Sequence, residues 1–311
     1  MKAAQVKEYG GVEKIAVEAV GEPGLKEGQV LVQVRAASLN PFDTILRSGV
    51  MQEMIPLHLP FTLGGDFAGV VTGLSEGVTN FTIGDEVYGS ANVANGGSGS
   101  LAELVAVNVA NTALRPTKID FIQTAALPLA GVSALQAIDE HIKLKDGHKI
   151  LIHGGAGGIG SYAVQVAKAR GAYVAATVAY ESVDFVKSLG ADLAIDYQTE
   201  DFTKVVKDYD SVFDTVGGAV TMRSIGVIRA GGVLVTMAGQ VDETAAGEGH
   251  VTAIRQSTKV STAWLEKLRD LVESGLVKPQ IDKTFFLSEA QEAYKLLEQG
   301  HPRGKIVVKI G

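Results

Sequence analysis

The sequence predicts an α/β protein: a β-rich first part, then a doubly wound parallel sheet with helices on both faces. Three observations carry this reading. Residues 2–107 hold six stretches of strand character with no strong helical period between them. From residue 149 onward, strand and helix patterns alternate. At the start of that alternation the apolar run Ile150, Leu151 and Ile152 enters a glycine cluster at 154–160, and an amphipathic helix pattern follows.

In chain order, strands are expected over 2–6, 14–19, 29–37, 66–74, 86–88 and 101–107, punctuated by glycine and proline. A short helix fits 42–47. Asp120 is placed to cap a helix over 121–125, and 128–140 reads as another. Strands then fall at 149–153, 173–177, 193–195, 211–214 and 232–237, with helices over 159–170 and 182–189 among those between them. In the first of these helices Ile159, Ala163, Val166 and Ala167 share one face. After Ser261 a helical pattern carries Trp264, Leu268, Leu271 and Val272, followed by a strand at 281–287, a helix at 289–298 and a strand at 305–310. This tail breaks the alternating rhythm and reads as a return to the first domain. The expected division is 1–122 with 262–311, and 123–261. Two polar, small-residue stretches, 90–100 and 242–257, read as loops.

Composition narrows the function classes. Of 311 residues, 46% are hydrophobic and 20% charged, which fits a soluble globular chain with large cores. The net charge is −7 and lysine and arginine are not clustered, which argues against nucleic acid and anionic membranes as partners. No apolar run approaches the roughly 18 residues of a membrane span. The first residues read as a strand and not a signal peptide, so a cytoplasmic location is expected. There is no cysteine, which excludes disulfides, a thiol nucleophile and thiolate-bound zinc. His58, His141, His148, His153, His250 and His301 show no ligand-like spacing, and no metal site is expected.

Gly155, Gly157 and Gly160 satisfy G-x-G-x-x-G with a strand before and a helix after. In that context Gly155 is expected to make the tight turn, Gly157 to let a pyrophosphate reach the backbone, and Gly160 to let helix and sheet pack closely. The N–H groups of the first helical turn then face the phosphates. The loop residues Ala156, Gly158 and Ile159 belong to the same binding segment. The alternative is a plain glycine loop.

Several further motifs share one resemblance. They are Ala36-Ala37-Ser38-Leu39-Asn40-Pro41-Phe42-Asp43, Gly65-Asp66-Phe67-Ala68-Gly69-Val70-Val71, Gly84-Asp85-Glu86-Val87-Tyr88-Gly89 and 127–134. The glycine loop, Asp196-Tyr197 and Gly304-Lys305-Ile306-Val307-Val308 complete the set. In this order, over nearly the whole chain, the sequence resembles the zeta-crystallin-like, zinc-independent quinone oxidoreductases of the medium-chain dehydrogenase/reductase superfamily. The resemblance implies a GroES-like β domain plus a Rossmann domain, and homodimers or homotetramers joined through the Rossmann sheets. It also implies a small-molecule quinone or enone as acceptor, reduced by hydride from a nicotinamide cofactor. An enoyl-thioester or alkenal reductase, and a non-catalytic cofactor-binding protein, are the competing readings.

The resemblance places Asn40 near the nicotinamide and the acceptor carbonyl; as a residue before Pro41, Asn40 is equally a turn former. Asp43 either orients this loop or caps the helix after it. Relatives often carry a tyrosine two residues beyond this aspartate, where this chain has Ile45. Met51, Met54, Ile55, Leu57 and Leu63 either extend an apolar pocket wall or belong to the core. For the cofactor, the resemblance points to Ser133, to main-chain groups around Gly217, Ala238 and Gly239, and to Arg303 and Lys305. A solvated charge pair is the alternative for the last two. The second alternating strand ends at Thr177 without a carboxylate, and Tyr197 matches a tyrosine lining a 2′-phosphate site. Both favour NADPH. Glu181, where relatives often have a basic residue, keeps NADH possible.

Overall fold

Six parallel strands form one sheet in the order Leu193–Asp196, Tyr173–Val178, Lys149–His153, Tyr209–Asp214, Ile228–Thr236, Thr252–Arg255. In the computed structural model, which describes every residue except Asp242 and His301, this sheet belongs to the unit Ala130–Lys259 with Gly275–Lys278. Its central strands are near-continuous apolar runs: Ile150, Leu151, Ile152, Val174, Ala175 and Ala176 are all fully buried. Strands covered on both faces have that composition. The strand order reverses between Lys149–His153 and Tyr209–Asp214, and ligands of such sheets bind beyond the carboxyl ends of strands at that reversal.

The other unit comprises Met1–Leu129, Val260–Ser274 and Pro279–Gly311. Its main sheet runs Ile281–Phe286, Lys305–Lys309, Gln29–Ser38, Asp66–Leu74, Glu86–Ser90, Thr112–Leu114, with Leu104–Asn108 also paired to Gln29–Ser38. Lys2–Val6, Ile15–Ala19 and Phe61–Thr62 make a small antiparallel sheet. The core between these layers includes Val30, Val32, Val34, Phe67, Val71, Val105, Ile306 and Val308. The C-terminal strand pairs antiparallel with Gln29–Ser38, so the tail does return to the first unit. Helix Phe121–Ala125 packs on the strands Gln29–Ser38 and Asp66–Leu74, which carries this unit past residue 122 to Leu129.

Two local readings need correction, and a third gains detail. The stretch 242–257 is not a bare loop: it holds helix Glu243–Glu248 and the edge strand Thr252–Arg255, while Asp242 itself lies outside the described residues. Such short elements draw their stability from packing and pairing, so propensity alone does not reveal them. The stretch 90–100 is packed in: Asn92 caps a short turn through its side chain, and a β-carbon on Gly97 or Gly99 would meet the carbonyl of Ala91 or Thr62 at 2.1 and 2.2 Å. The single helix expected over 128–140 is an α-helix, Pro128–Leu135, that widens into a π-helix over Gln136–Ile142.

Candidate functional site

Strand Lys149–His153 leads into the glycine loop, and helix Gly158–Ala169 leaves it. The tight turn falls on Gly154 (φ 71°), one residue before the position expected for it; a β-carbon there would meet the Thr215 hydroxyl at 2.6 Å. Gly155 instead lets the loop lie on the neighbouring strand, since its β-carbon would come within 2.7 Å of the Ala176 β-carbon. Gly160 serves close packing, with the Gly154 carbonyl 2.1 Å from its would-be β-carbon. Gly157 differs from these three. Its φ is −74°, which any residue tolerates, and a β-carbon would meet only the Gly154 carbonyl, at 3.4 Å. The protein's own packing does not require glycine there. Gly157 is also the N-cap of the helix and no side chain caps that terminus. Open space over unsatisfied N–H groups at the positive end of a helix suits a pyrophosphate.

The strand ends beside this loop form a polar row. Register pairs Thr177 with His153, His153 with Asp214, and Asp214 with Thr236. All four side chains are buried. His153 Nδ1 lies 3.0 Å from Thr177 Oγ1, and its Nε2 lies 3.0 Å from Ser224 Oγ. Burial pushes its pKa down to about 4, against the pull of Asp214, so the ring is neutral near pH 7. Thr177 therefore engages His153 with its hydroxyl and accepts the Gly155 N–H on its carbonyl. These contacts support the glycine loop.

Asp214 was not singled out from sequence. It accepts hydrogen bonds from the main-chain N–H groups of Val216 and Gly217 at 2.8 and 3.0 Å, and from the hydroxyls of Thr221 and Thr236 at 2.5 and 3.4 Å. Thr236 Oγ1 in turn accepts from the N–H groups of Ala238 and Gly239. The available signal was an aspartate closing an apolar strand two residues before a glycine turn, where a side chain can fold back onto its own backbone. Gly217 and Gly239 have packing reasons of their own: β-carbons there would meet the Ala238 carbonyl at 2.7 Å and the Thr221 hydroxyl at 2.1 Å.

Elsewhere in the second unit, Ser133 is buried; its hydroxyl lies 2.7 Å from that of Thr258, and its carbonyl accepts from Gln256. Tyr197 is half exposed and its N–H donates to the carbonyl of Val178, which holds it at the end of strand Tyr173–Val178. Tyr180 and Glu181 stand exposed just past that strand.

In the first unit the structure brings Asn40, Asp43 and Lys305 together with Asp66. Asn40 precedes helix Pro41–Ser48, and its N–H donates to Asp43 Oδ2 at 2.9 Å. Asn40 Nδ2 donates to Asp66 Oδ2 at 2.9 Å, and Lys305 Nζ donates to Asn40 Oδ1 and to the Leu39 carbonyl. Asp66 also accepts from Ser38 Oγ and the Leu129 N–H, and lies 3.8 Å from Lys305 Nζ. Each of these four residues is at most 4% exposed. Lys305 is thus not one of a solvated pair: it opens a buried strand beside Gln29–Ser38, whereas Arg303 is exposed. Burial, with Asp66 nearby, pushes the Asp43 carboxyl up to about 7. Burial also raises Asp66 and lowers Lys305, the Lys305 ammonium and the Asp66 and Asp43 carboxyls opposing those shifts. Leu63 is core, Met54 is 78% exposed, and Met51, Ile55 and Leu57 are half-buried. Among the described residues no group of three His, Asp or Glu side chains is arranged to hold a metal ion.

Comparison with known proteins matches residues 26–117 to the alcohol dehydrogenase GroES-like domain and 189–308 to a family described as zinc-binding dehydrogenase. The chain is 40% identical to the chloroplastic NADPH-dependent alkenal/one oxidoreductase of Arabidopsis thaliana, over 99% of this chain and 79% of that protein. Among solved structures it is similar to the quinone oxidoreductase of Coxiella burnetii, with TM-score 0.92 and 35% identity over 100% and 99% of the two chains. A mycobacterial protein solved in complex with NADPH matches with TM-score 0.89 and 27% identity over both whole chains.

Proposed function

The chain belongs to the zinc-independent quinone oxidoreductases of the medium-chain dehydrogenase/reductase superfamily, and on that premise we propose that it is an NADPH-dependent reductase of quinones or α,β-unsaturated carbonyls. The observation that carries this reading is Gly157, the loop glycine whose missing side chain serves no contact within the protein. When bound, the reduced nicotinamide supplies a hydride to the acceptor, and solvent supplies the proton that completes the two-electron reduction.

The protein's part is placement. The N–H groups of Gly158, Ile159 and Gly160 would receive the pyrophosphate, and Tyr197 would line the adenosine end. Main-chain groups of Gly217, Ala238 and Gly239 would meet the nicotinamide end. Asn40 retains one amide hydrogen beyond its bond to Asp66, and we assign that hydrogen to the acceptor carbonyl, where negative charge develops. Asp43 and Lys305 then act through Asn40, the first by holding its backbone and the second by fixing which way its amide points. The 40% identical relative, an alkenal/one oxidoreductase by name, favours an enone over a quinone as acceptor. The open edge strand Thr252–Arg255 supports a homodimer built by edge pairing of the parallel sheets.

The test is loss of the reduced-nicotinamide absorbance, with NADPH and NADH supplied separately, each with a naphthoquinone and with a small enone. Acceptor-dependent oxidation of NADPH is expected. Tight NADPH binding without oxidation of any acceptor would overturn the reductase reading, and sedimentation as a monomer at working concentration would overturn the dimer.

A further inference from the structure

We infer that Asp214 is a positioning residue for the cofactor, a single buried carboxyl group that sets two nicotinamide-facing loops through direct bonds and through Thr236. The inference rests on the NADPH reading above. Asp214 ends its strand, fully buried, beside Thr236 at the end of the next. One carboxyl oxygen takes both N–H groups of the turn at 216–217. The other takes the Thr221 and Thr236 hydroxyls. Thr236 passes the constraint on, because its oxygen accepts from the Ala238 and Gly239 N–H groups while its hydroxyl donates to Asp214 at 3.4 Å. The two loops also approach each other: Gly217 has φ 84°, and a β-carbon there would meet the Ala238 carbonyl at 2.7 Å. Neither loop can be set independently of the other.

The donor count explains why the group is a carboxyl. Two N–H groups and two hydroxyls converge on two oxygens. An asparagine could keep the bonds to 216 and 217, but its amide nitrogen would then face the two hydroxyls. Thr221 can rotate to accept. Thr236 cannot, because both of its lone pairs already serve Ala238 and Gly239. Asp214→Asn therefore detaches the loop at 237–239 from the turn at 216–217. Thr236→Val does so from the other side at nearly constant volume, and Thr236→Ser retains the relay. His153, neutral, stands beside Asp214 in register, and Arg223 on the following helix disfavours protonation of that histidine.

The experiment compares wild type with Asp214→Asn, Thr236→Val and Thr236→Ser. The readouts are thermal melting, hydrogen exchange of the cofactor-free protein, NADPH affinity by fluorescence titration, and kcat and KM for the acceptor. Asp214→Asn and Thr236→Val should weaken NADPH at least about tenfold, a loss of about 1.4 kcal/mol, with little change in the acceptor KM. Exchange should rise at 237–239 and not in strand Lys149–His153. Thr236→Ser should bind as wild type does. Near-wild-type NADPH affinity in a folded Thr236→Val variant would overturn the proposal, even if Asp214→Asn fails to fold. Equal loss in Thr236→Ser and Thr236→Val would overturn it too. A wild-type protein that binds no NADPH would instead defeat the cofactor reading itself, and the positioning role with it.

Discussion

Replacing Gly157 should separate binding from folding, and replacing Gly160 should do the reverse. At Gly157 the backbone suits any residue, and a β-carbon meets nothing nearer than the Gly154 carbonyl at 3.4 Å. Loss of glycine at an N-cap costs up to about 1 kcal/mol, which is a shift of a few degrees in Tm for a unit of this size. Over the same position the valine side chain of Gly157→Val fills the approach to the first-turn N–H groups. A hydrogen bond to a charged group contributes about 1.5–3 kcal/mol. Losing two removes roughly 3–6 kcal/mol, or about two to four orders of magnitude in Kd. Gly160→Ala instead drives a methyl group to within 2.1 Å of the Gly154 carbonyl, so backbone must move. Overpacking of that kind costs about 1–3 kcal/mol or more. The assay is a thermal melt of each cofactor-free variant beside an NADPH titration. The reasoning fails if folded Gly157→Val binds NADPH within threefold of wild type, or if Gly160→Ala melts with the native protein.

Glu181→Arg should raise the preference for NADPH over NADH, read as the ratio of the two kcat/KM values; an unchanged ratio would mean that this exposed side chain does not face the adenosine 2′ position. Lys305→Met should destabilise the first unit by about 3–5 kcal/mol, because Asp66 and Asp43 lose the cation buried with them, and a urea midpoint equal to the native one would refute it. His153 has a native pKa near 4, below its ordinary 6.5, so the unfolded chain takes up the extra proton. Its stabilising contribution, on the order of 3 kcal/mol, is present above pH 6.5 and is lost as pH falls toward 4. His153→Gln should flatten melting temperature against pH in that window. Asp43 works in the opposite sense. Its pKa is raised from 3.8 to about 7, so its contribution is present below pH 3.8 and is lost as pH rises to 7. Asp43→Asn should remove that decline, and an unaltered pH profile in the variant would show that the carboxyl does not titrate in this range.

Elements with a strong local pattern are legible in the sequence. Strands Lys2–Val6, Asp66–Leu74 and Lys149–His153 and helix Phe121–Ala125 fall where alternation, apolar runs and capping residues put them. Thr252–Arg255 was not legible, because four residues are held as a strand only by pairing with Ile228–Thr236. At the site, glycine spacing revealed the loop but displaced its turn by one residue, since spacing does not report which residue adopts positive φ. Lys305 drew attention as a charge, yet its burial follows from pairing across the chain that no local pattern encodes. Asp214 and Asp66 went unassigned for a related reason: each matters through partners contributed by other strands or helices.

The ammonium of Lys305 reaches the Asn40 amide across 265 residues of chain, and this imposes an order on biosynthesis. Asn40, Asp43 and Asp66 leave the ribosome early. Their cation arrives only after 130–259, the bulk of the second unit, has emerged as one uninterrupted stretch. That stretch can close its own sheet while the first unit still lacks Ile281–Phe286 and Lys305–Lys309. Until those strands dock, two carboxyl groups destined for burial have reason to stay hydrated, and the long separation slows the final closure. A nascent chain halted between the two events would carry a closed parallel sheet and a β domain still short of two strands.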